Sequence, residues 1–405
     1  MTKKMNKIEK LVTELCPKGV EFKTLWDVCS SITAGGDLPE NYLKNQQVPT
    51  REFPYPIFSN GSAENALYGY TDSYKVDCEA VTISARGTIG YHAVRAEKFT
   101  PIVRLITLIP KTEIITAKFL NYALDITEIG HSGGSIPQLT VPNVKKIKIP
   151  IPPLAIQQEI VKILDTFTEL EAELEAELEA RKKQYEYYRN ELLTFEDRQT
   201  DRQTDRIRWV TLGEIGTIVR GNGLQKKDFV EDGVGCIHYG QIYTYYGTFT
   251  NKTKSFVSQK LANSLKKVNK GDLVITSTSE NIEDVCKAVA WLGEDEIVTG
   301  GHATILKHHE NPKYLSYYFQ TPSFSDQKRK YAKGTKVIDV SAKDLAKIKI
   351  AVPSLTEQER IVAILDRFDA LVNDISVGLP AELNARRKQY EYYRNKLFTF
   401  SLKQN

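Results

Sequence analysis

The sequence lacks the short motifs with which many enzymes bind nucleotides, metals or methyl donors. Neither the phosphate-binding pattern GxxxxGK[ST] nor the dinucleotide pattern GxGxxG occurs in its 405 residues. The six histidines form no i,i+4 pair of the kind that binds zinc, and the [DN]PP[FY] signature of amino-methylating enzymes is absent. We therefore expect no catalytic centre and no metal site in this chain.

Cysteines and long apolar runs are also scarce. The five cysteines, at positions 16, 29, 78, 236 and 286, are too far apart for a CxxC pair. An odd number of isolated thiols is typical of a reducing cytoplasm. No run approaches 18 apolar residues, and the N-terminus has no signal-peptide core. We expect a cytoplasmic protein without a membrane segment.

An excess of either charge is missing as well. The 55 Lys and Arg residues nearly balance the 51 Asp and Glu residues, so the net charge is only +4. With 41% hydrophobic and 26% charged residues, the chain is long enough for two or three domains with their own cores. Any argument for nucleic-acid binding must therefore rest on where the basic residues lie.

A nearly identical stretch occurs twice. RKKQYEYYRNELLTF, residues 181–195, returns as RRKQYEYYRNKLFTF, residues 386–400, with twelve of fifteen positions identical. Three further landmarks recur in the same order, at offsets of 187, 195 and 201 residues, before this one at 205. The slowly growing offset indicates a duplication of one whole unit, with small loop insertions.

Each half begins with a mixed α/β region and ends with a helical region. Runs rich in β-branched residues predict strands, and amphipathic runs predict helices. The strands are predicted at residues 80–85, 101–109, 146–151, 272–276, 303–306 and 346–352, and the helices at 117–126 and 312–319. The fold class is α+β: two mixed α/β domains in tandem, each followed by a long coiled-coil helix; the resemblance given below implies that the two helices pack antiparallel. We divide the chain into an N-terminal domain 1–152, a helical spacer 153–196, a polar linker 197–208, a C-terminal domain 209–353 and a second helical spacer 354–405.

The helical regions carry apolar residues in alternating steps of three and four, which is coiled-coil spacing. Pro152-Pro153 marks the start of the first helix, which can run unbroken for some 40 residues, roughly 60 Å. Ser354-Leu-Thr-Glu357 predicts a capping box at the second, and Gly378-Leu-Pro380 predicts a break in it. The predicted packing residues are Ile160, Phe167, Leu174, Tyr185, Tyr188, Leu192, Ile361, Leu365, Phe368, Tyr390, Tyr393 and Leu397.

Two low-complexity segments accompany the first helix. TELEAELEAELEA, residues 168–180, is built on the tetrapeptide LEAE, and its six glutamates predict a solvated helix face. DRQTDRQTDR, residues 197–206, is a polar linker whose charge alternation can extend the helix by a turn or two.

Basic and polar side chains among aromatics and glycines make the two α/β domains candidates for DNA binding. Arg and Gln would read bases while Lys would hold phosphates. The candidates are Lys44, Arg51, Arg86, Arg95, Arg104, Arg220, Lys226, Lys227, Tyr239, Gln241, Lys252, Lys254, Lys287 and Lys336. A solvated surface charge remains the alternative for each. The carboxylates Glu280, Glu283 and Asp284 could suggest a nuclease, but they have no counterpart in the first half.

The repeated basic and aromatic helix has three interpretations. It binds nucleic acid, or it is a solvated face behind a coiled-coil seam, or it is a docking surface used twice because a partner binds twice. Near-identity favours the third interpretation, because packing alone tolerates apolar exchanges. Tyr187 and Arg189, with their copies Tyr392 and Arg394, are expected to lie off the seam and to dock the partner.

These motifs together closely resemble the specificity (S) subunits of type I restriction-modification systems. The resemblance rests on ARKKQYEYYRNELLTF and ARRKQYEYYRNKLFTF, on the helix starts QQEIVKILD and QERIVAILD, and on GLPAE, and it covers the whole chain. It implies two target-recognition domains, each reading one half of a bipartite sequence in double-stranded DNA. It also implies antiparallel helices that set the spacer and dock two copies of the modification (methyltransferase) subunit.

The same resemblance implies a chain without activity of its own. S-adenosylmethionine would bind the modification subunits, and ATP with Mg2+ would serve the restriction (translocase and endonuclease) subunits of the full complex. Because the recognition domains vary within that family, the resemblance transfers no base-contact residue. The alternative is a structural adaptor whose two domains bind proteins or glycans on a coiled coil, with no affinity for DNA.

Overall fold

The chain folds into two compact units that do not follow the linear order of its halves. The computed structural model describes residues 2–127, 129, 138–195, 207–374 and 376–403. Unit 1 comprises residues 1–173 together with 384–405, and unit 2 comprises residues 174–383. None of the described helices is long and apolar enough to cross a membrane.

The described α/β region of unit 1, before its long helix, contains four helices, ten strands and one 3-10 turn at Ala63–Ala66. The helices are α1 Thr2–Leu15, α2 Leu25–Val28, α3 Ala117–Asp125 and α4 Val141–Lys145. The strands are β1 Glu21–Thr24, β2 Cys29–Ala34, β3 Tyr42–Lys44, β4 Tyr55–Phe58, β5 Leu67–Thr71, β6 Ala80–Ile83, β7 His92–Arg95, β8 Thr100–Pro101, β9 Ile106–Pro110 and β10 Lys148–Ile151.

Two four-stranded sheets form the body of unit 1. One has the order β2-β9-β6-β7 and is antiparallel throughout; the other has the order β3-β5-β4-β8. The pair β1-β10 joins the two ends of the α/β region. β6 is buried on both faces, and it lies in the core with Phe119 and Leu120 of α3. Val81 and Ile83 of this strand belong to the main core, while Ala80 packs with Val76 and Phe99 in a smaller cluster.

The helical part begins with α5 Leu154–Leu193, a continuous helix of 40 residues that runs from unit 1 into unit 2. The proline pair directly before it fixes its start, as the sequence predicted. The charged LEAE segment lies within this helix and is largely exposed, in agreement with a solvated face. Residues 196–206, which hold the DRQT linker, lie outside the described residues.

Unit 2 repeats the plan with more strands. Its helices, together with the last helix of the chain, are α6 Leu212–Ile215, α7 Tyr239–Thr244, α8 Gln259–Ala262, α9 Pro312–Tyr318, α10 Pro322–Tyr331, α11 Ala342–Leu345, α12 Leu355–Asn373 and α13 Leu379–Leu397, with a 3-10 turn at Lys226–Asp228. Its strands are β11 Arg208–Thr211, β12 Gly216–Arg220, β13 Phe229–Val230, β14 Val234–Ile237, β15 Phe249–Thr250, β16 Ser255–Val257, β17 Lys266–Val268, β18 Leu273–Thr276, β19 Thr278–Ser279, β20 Ala288–Trp291, β21 Ile297–Thr299, β22 Ala303–His308, β23 Ile338–Asp339 and β24 Lys349–Val352.

The sheets of unit 2 match those of unit 1. The order β12-β22-β18-β20, extended by β15, corresponds to β2-β9-β6-β7. A second sheet has the order β13-β16-β14-β21-β17, and β11-β24 corresponds to β1-β10. The short pair β19-β23 has no counterpart in unit 1 among the described residues. The duplication read from the sequence is therefore a duplication of topology.

The repeated helices are exchanged between the units. In unit 1, α5 packs against α13: Phe167 stacks on Tyr393 with ring centroids 5.8 Å apart, and Glu171 accepts from Arg387 at 2.6 Å. Residue numbers rise along one helix as they fall along the other, so the packing is antiparallel. In unit 2, Tyr185 and Tyr188 of α5 stack on Phe368 of α12, at 6.5 and 5.4 Å. The first copy of the repeated stretch thus belongs to unit 2 and the second to unit 1.

Two local expectations were wrong. The strand predicted at residues 101–109 is divided by a turn at Ile102–Leu105, which separates β8 from β9. Ser354 does cap α12 by accepting from the backbone N–H of Glu357, but the Glu357 side chain bonds Arg360 at 2.7 Å instead of closing the capping box. The predicted break near Gly378 is confirmed, because α12 ends at Asn373 and α13 starts at Leu379.

Candidate nucleic-acid interface and docking surface

Several loops of unit 1 meet at one end of its main sheet. The register pairs Ala34 of β2 with Ile106 of β9, and Ile106 with Ile83 of β6. His92, which starts β7, pairs with Ile83. The loops that adjoin these residues therefore meet at the same end of the strands. We call residues 35–36, 59–61, 84–87 and 102–104 the loop cluster of unit 1.

Asn60 holds this loop cluster together. Its Nδ2 donates to the carbonyl oxygen of Val103 at 2.5 Å, and its Oδ1 accepts from the backbone N–H of Ala85 at 2.7 Å. The Ser84 hydroxyl donates to the carbonyl oxygen of Gly61 at 3.0 Å. These contacts join three loops through two side chains. The sequence alone does not reveal this role, because the partners of Asn60 are distant in the chain.

Unit 2 forms an equivalent cluster at the same end of the matching sheet. Arg220 of β12 pairs with Thr304 of β22, and Thr276 of β18 pairs with Ala303. We call residues 220–224, 238–239, 277–279 and 300–302 the loop cluster of unit 2. Gly221 is required there, because a Cβ at this position would lie 2.2 Å from the Gly300 carbonyl oxygen. The two clusters share their place in the fold but not their side chains.

An aromatic and imidazole group lies within the cluster of unit 2. The Tyr239 ring contacts His238 and His302, with centroids 4.5 and 4.8 Å away. His302 is fixed by a 2.9 Å hydrogen bond between its Nδ1 and the Thr278 hydroxyl. Burial, followed by the charge of Lys226, lowers the pKa of His238. At neutral pH His238 is therefore an uncharged ring suited to stacking and hydrogen bonding.

The structure separates the candidate DNA-binding residues into four groups. Arg86 and Arg104 lie in the loop cluster of unit 1, and Arg220 and Tyr239 lie in that of unit 2. Other candidates are exposed in loops, turns or strands outside these clusters: Lys44, Arg51, Lys226, Lys227, Lys252, Lys254 and Lys336. Lys287 is half-buried. Arg95 and Gln241 are engaged in the fold, and within its cluster Arg220 forms an ion pair with Asp339 at 2.9 Å.

The two engaged residues have clear structural roles. The Arg95 guanidinium lies 4.0 Å above the Phe58 ring, and its Nε donates to the Thr82 hydroxyl. Burial lowers the pKa of Arg95. Gln241 accepts from the backbone N–H of His238, which caps the N-terminus of α7. Its amide group also donates to Ser255 at 2.6 Å. Neither side chain is presented at the edge of the sheet.

Two further kinds of polar contact, which the sequence did not reveal, are present in both units. Gln157, fully buried, donates to the carbonyl oxygens of Ile114 and Pro152, both at 2.8 Å. Gln358, also fully buried, donates to the Pro353 carbonyl oxygen at 2.9 Å. Each glutamine thereby fixes the start of its helix to the α/β region.

The second repeated contact is a triad of lysine, tyrosine and aspartate. In unit 1 the Asp165 carboxylate accepts from Lys118 at 2.6 Å and from Tyr122 at 2.8 Å. In unit 2 Asp366 accepts from Lys313 at 2.7 Å and from Tyr317 at 2.8 Å. Burial raises the pKa of both tyrosines, so each hydroxyl stays protonated and donates. The sequence contains a sign of this triad, because Lys118 and Tyr122 recur as Lys313 and Tyr317 at the offset of 195 residues.

The candidate docking residues divide into exposed tyrosines and engaged arginines. Tyr187 and Tyr392 are each 60% exposed. The two arginines contact the α/β region rather than the facing helix, so they lie off the seam, but both are engaged within their own unit. Arg189 donates to Gln320 at 3.0 Å, Arg394 lies 3.8 Å from Asp125, and each guanidinium lies 5.4 Å from a tyrosine ring. The arginines thus pack against the α/β region of their own unit, so the exposed surface that repeats is centred on the tyrosines.

Most predicted packing residues lie where the pattern placed them. Ile160, Phe167, Tyr185, Ile361, Leu365 and Leu397 are buried; Leu174, Leu192, Phe368, Tyr390 and Tyr393 are half-buried; Tyr188 is 41% exposed but stacks on Phe368. Leu174 lies in the LEAE segment, where the helix face is otherwise charged.

The carboxylates considered for a nuclease are not assembled into a site. Asp284 accepts from the Asn281 amide at 2.8 Å, and Glu283 pairs with Arg329 at 3.3 Å. Over the described ranges, no three His, Cys, Asp or Glu side chains come together in a way that could hold a metal ion.

Two α/β units that match in topology, carry different loops and are held by the same helices correspond to the architecture that the sequence motifs implied. The family profile described as the type I restriction modification DNA specificity domain matches residues 17–180 and again 207–385. The chain belongs to this family. It is a DNA sequence-recognition subunit with two recognition domains, and these findings do not favour the structural adaptor.

Individual relatives agree with the family assignment. The specificity subunit of the type I restriction enzyme EcoR124I/EcoR124II from Escherichia coli is 37% identical over 300 residues, which cover 70% of each chain. A putative type I specificity subunit from Haemophilus influenzae, S.HindORF215P, is 33% identical over 279 residues, or 65% of this chain and 66% of that one.

Solved structures show the same fold at low identity. The S subunit of a type I restriction-modification system from M. genitalium superposes with a TM-score of 0.55 at 19% identity, covering 94% of this chain and 96% of that one. A chain from a study of the assembly of the type I system superposes with a TM-score of 0.61 at 17% identity, covering 94% and 98%. The specificity-subunit fold is therefore shared even where few residues are.

Proposed function

We propose that each recognition domain reads one half of a bipartite target in duplex DNA through its loop cluster. The observation that carries this proposal is that the two clusters lie at the same end of matching sheets yet display different side chains. Arg86 and Arg104 are present in one, and Arg220, Tyr239 and His302 in the other. Two equivalent platforms with different surfaces suit two different half-sites.

The helices supply the spacing between the half-sites. The LEAE segment lies in the continuous helix α5, so each inserted or deleted tetrapeptide changes the helix length by about 6 Å. On B-DNA this length corresponds to about one or two base pairs. We propose that α5 sets the unspecified spacer of the target in this way.

The repeated exposed surface around Tyr187 and Tyr392 docks two copies of the modification subunit. Support comes from its occurrence once on each copy of the repeated stretch, with equal exposure of the two tyrosines. The methyl donor S-adenosylmethionine belongs to those modification subunits, and ATP with Mg2+ belongs to the restriction subunits. In this proposal the chain recognises the two half-sites, sets the distance between them and docks the modification subunits. Catalysis takes place on its partners.

Salt-dependent binding tests DNA recognition against the adaptor alternative. The complex of this chain with its modification subunit is titrated with duplex DNA at several salt concentrations. A DNA reader that neutralises several phosphates shows an affinity that falls steeply and linearly on a log–log plot, because bound counterions are released. An adaptor for proteins or glycans shows no such slope, and that result would refute the proposal.

A further inference from the structure

The turn at Ile102–Leu105 of unit 1 has an unusual backbone. The Leu105 N–H donates to the Ile102 carbonyl oxygen at 3.0 Å and closes a four-residue turn. Its two central residues, Val103 and Arg104, have φ of +51° and +62°. Two consecutive left-handed residues are the pattern of a turn that prefers Asn-Gly, and a β-branched residue there is a steric outlier. Valine and arginine are therefore poor choices for the stability of this turn.

The shared fold does not demand this strain. The equivalent turn of unit 2, Gly300–Ala303, is closed by the same hydrogen bond at 3.0 Å, from the N–H of Ala303 to the carbonyl oxygen of Gly300. Neither of its central residues, Gly301 and His302, lies in the left-handed region. The strained conformation is therefore a property of unit 1 and of the two side chains that it presents.

Neighbouring groups hold the strained turn in place. The N–H groups of Val103 and Arg104 donate to the carbonyl oxygens of Gly36 and Gly35, both at 2.9 Å, and the Val103 carbonyl accepts from Asn60. Strain of this kind persists only where the surroundings determine the conformation, and it is concentrated at functional sites. Asn60 is thus a positioning residue for this turn.

The side chains of the turn are presented to solvent. Val103 is 52% exposed. Arg104 is also exposed, and its guanidinium makes no ion pair or hydrogen bond with the described part of the chain. By contrast, Arg86 in the same cluster donates to Gln138 at 3.1 Å. The turn therefore places an unengaged guanidinium beside exposed methyl groups at the edge of the sheet.

We propose that the Val103–Arg104 turn is a base-reading element of the first recognition domain. Arg104 donates two hydrogen bonds to O6 and N7 of a guanine, and the Val103 methyl groups pack on the 5-methyl group of a neighbouring thymine. This inference rests on the proposed function, and it adds which residues read and which base chemistry they read.

Three variants of the full chain, each with its modification subunit, test the inference. Arg104→Ala weakens binding to the cognate duplex by about tenfold or more. It also reduces the preference for guanine at one position of one half-site. Arg104→Lys restores little of this loss, because lysine does not form the bidentate contact. Val103→Gly raises the Tm by relieving backbone strain. It also reduces the preference for thymine at the position next to that guanine.

Lys98→Gly is the matched control. Lys98 is another exposed non-glycine residue with positive φ, +65°, and it follows β7 at the opposite end of that strand from the loop cluster. Replacing it with glycine should raise the Tm as Val103→Gly does and leave both half-sites unchanged. A change of motif in this control would overturn the inference, because strain relief alone would then alter recognition.

The outcomes separate this inference from the proposed function. If the wild-type complex specifies a bipartite motif but Arg104→Ala leaves both halves intact, the turn does not read bases and only the inference fails. Full binding by Arg104→Lys would likewise overturn it, since a point charge on phosphate would then suffice. If the wild-type complex specifies no motif at all, the proposed function itself fails.

Discussion

Single polar residues fix the same junctions in both units, which explains why they recur. Gln157 and Gln358 join the start of their helix to the chain that precedes α3 and α9, respectively. Each lies where backbone groups would otherwise be buried without partners. The duplication has therefore retained the residues that join the recognition domain to its helix, while the loops differ.

Replacing Gln157 with leucine should destabilise the chain. The change leaves the carbonyl oxygens of Ile114 and Pro152 and the N–H of Thr116 buried without this partner, so the free energy of unfolding falls by about 1–3 kcal/mol. Urea denaturation measures the effect. Gln158→Leu, on the exposed neighbour, should have little effect; an equal loss in both variants would show that the hydrogen bonds are not the cause.

His308 should make stability depend on pH. Burial lowers the pKa of His308 to about 4, and its Nδ1 accepts from the N–H of Glu310. The unfolded chain takes up a proton near pH 6.5, but the folded chain does so only near pH 4. The contribution of neutral His308 to the free energy of unfolding is therefore fully present above pH 6.5. It is lost as the pH falls towards 4, and the loss is at most about 3 kcal/mol.

The variant His308→Asn should flatten that part of the stability profile, because asparagine does not titrate. His309→Gln, which alters the exposed neighbour, serves as the control and should change the profile only slightly, because the charge of His309 is the smallest of the causes that shift the pKa of His308. Thermal unfolding followed between pH 4 and pH 7 provides the measurement. An unchanged acid loss in His308→Asn would contradict this assignment.

At the level of elements, the repeated stretch combines packing and an exposed surface. In the first copy Tyr185 and Tyr188 stack on Phe368, and Arg189 contacts the α/β region. In the second copy Tyr390 and Tyr393 contact Phe167, and Arg394 lies near Asp125. Much of the near-identity is thus explained by internal contacts that are the same in both units. The exposed tyrosines are the part that internal packing leaves unexplained.

Removing one exposed tyrosine should remove one docking site. Tyr187→Ala or Tyr392→Ala alone leaves one modification subunit bound per chain, and the double variant weakens both sites. Analytical ultracentrifugation or native mass spectrometry gives the stoichiometry. Tyr245→Ala, which removes a tyrosine that is 57% exposed and lies outside the helices, should still bind two subunits. Two bound subunits in the double variant would exclude this docking surface.

The length of α5 should set the spacer of the target. Deleting residues 174–177, one LEAE unit, shortens the helix by about 6 Å and the spacer by about one or two base pairs. Both half-sites should keep their sequences, because the loop clusters are untouched. Glu173→Gln with Glu177→Gln changes the charge but not the length, so it should leave the spacer alone. An unaltered spacer after the deletion would refute the role of helix length.

At the scale of the whole molecule, the sequence predicted the repeat, the fold class and the break near Gly378, because helical periodicity and capping signals are local. It could not predict that the units exchange their last helices, since contacts such as Phe167 with Tyr393 join positions far apart in the chain. The internal contacts of Arg189 and Arg394 could not be predicted for the same reason.

The candidate site was less predictable than the fold. Residue type alone placed Arg95 and Gln241 with the DNA readers, although the first stacks on Phe58 and the second caps the start of α7. Asn60, Val103 and His302 were missed because their significance comes from loops that meet only in three dimensions. Their backbone angles and partners, rather than their chemical class, identify them.

The measurement that tests the central claim most directly is single-molecule sequencing of DNA methylation in cells that carry the modification subunit with and without this chain. We predict one bipartite motif, two short specified halves around an unspecified spacer, that is methylated only when the chain is present. A methylation pattern that is the same without the chain, or a motif with a single uninterrupted specified block, would contradict the account.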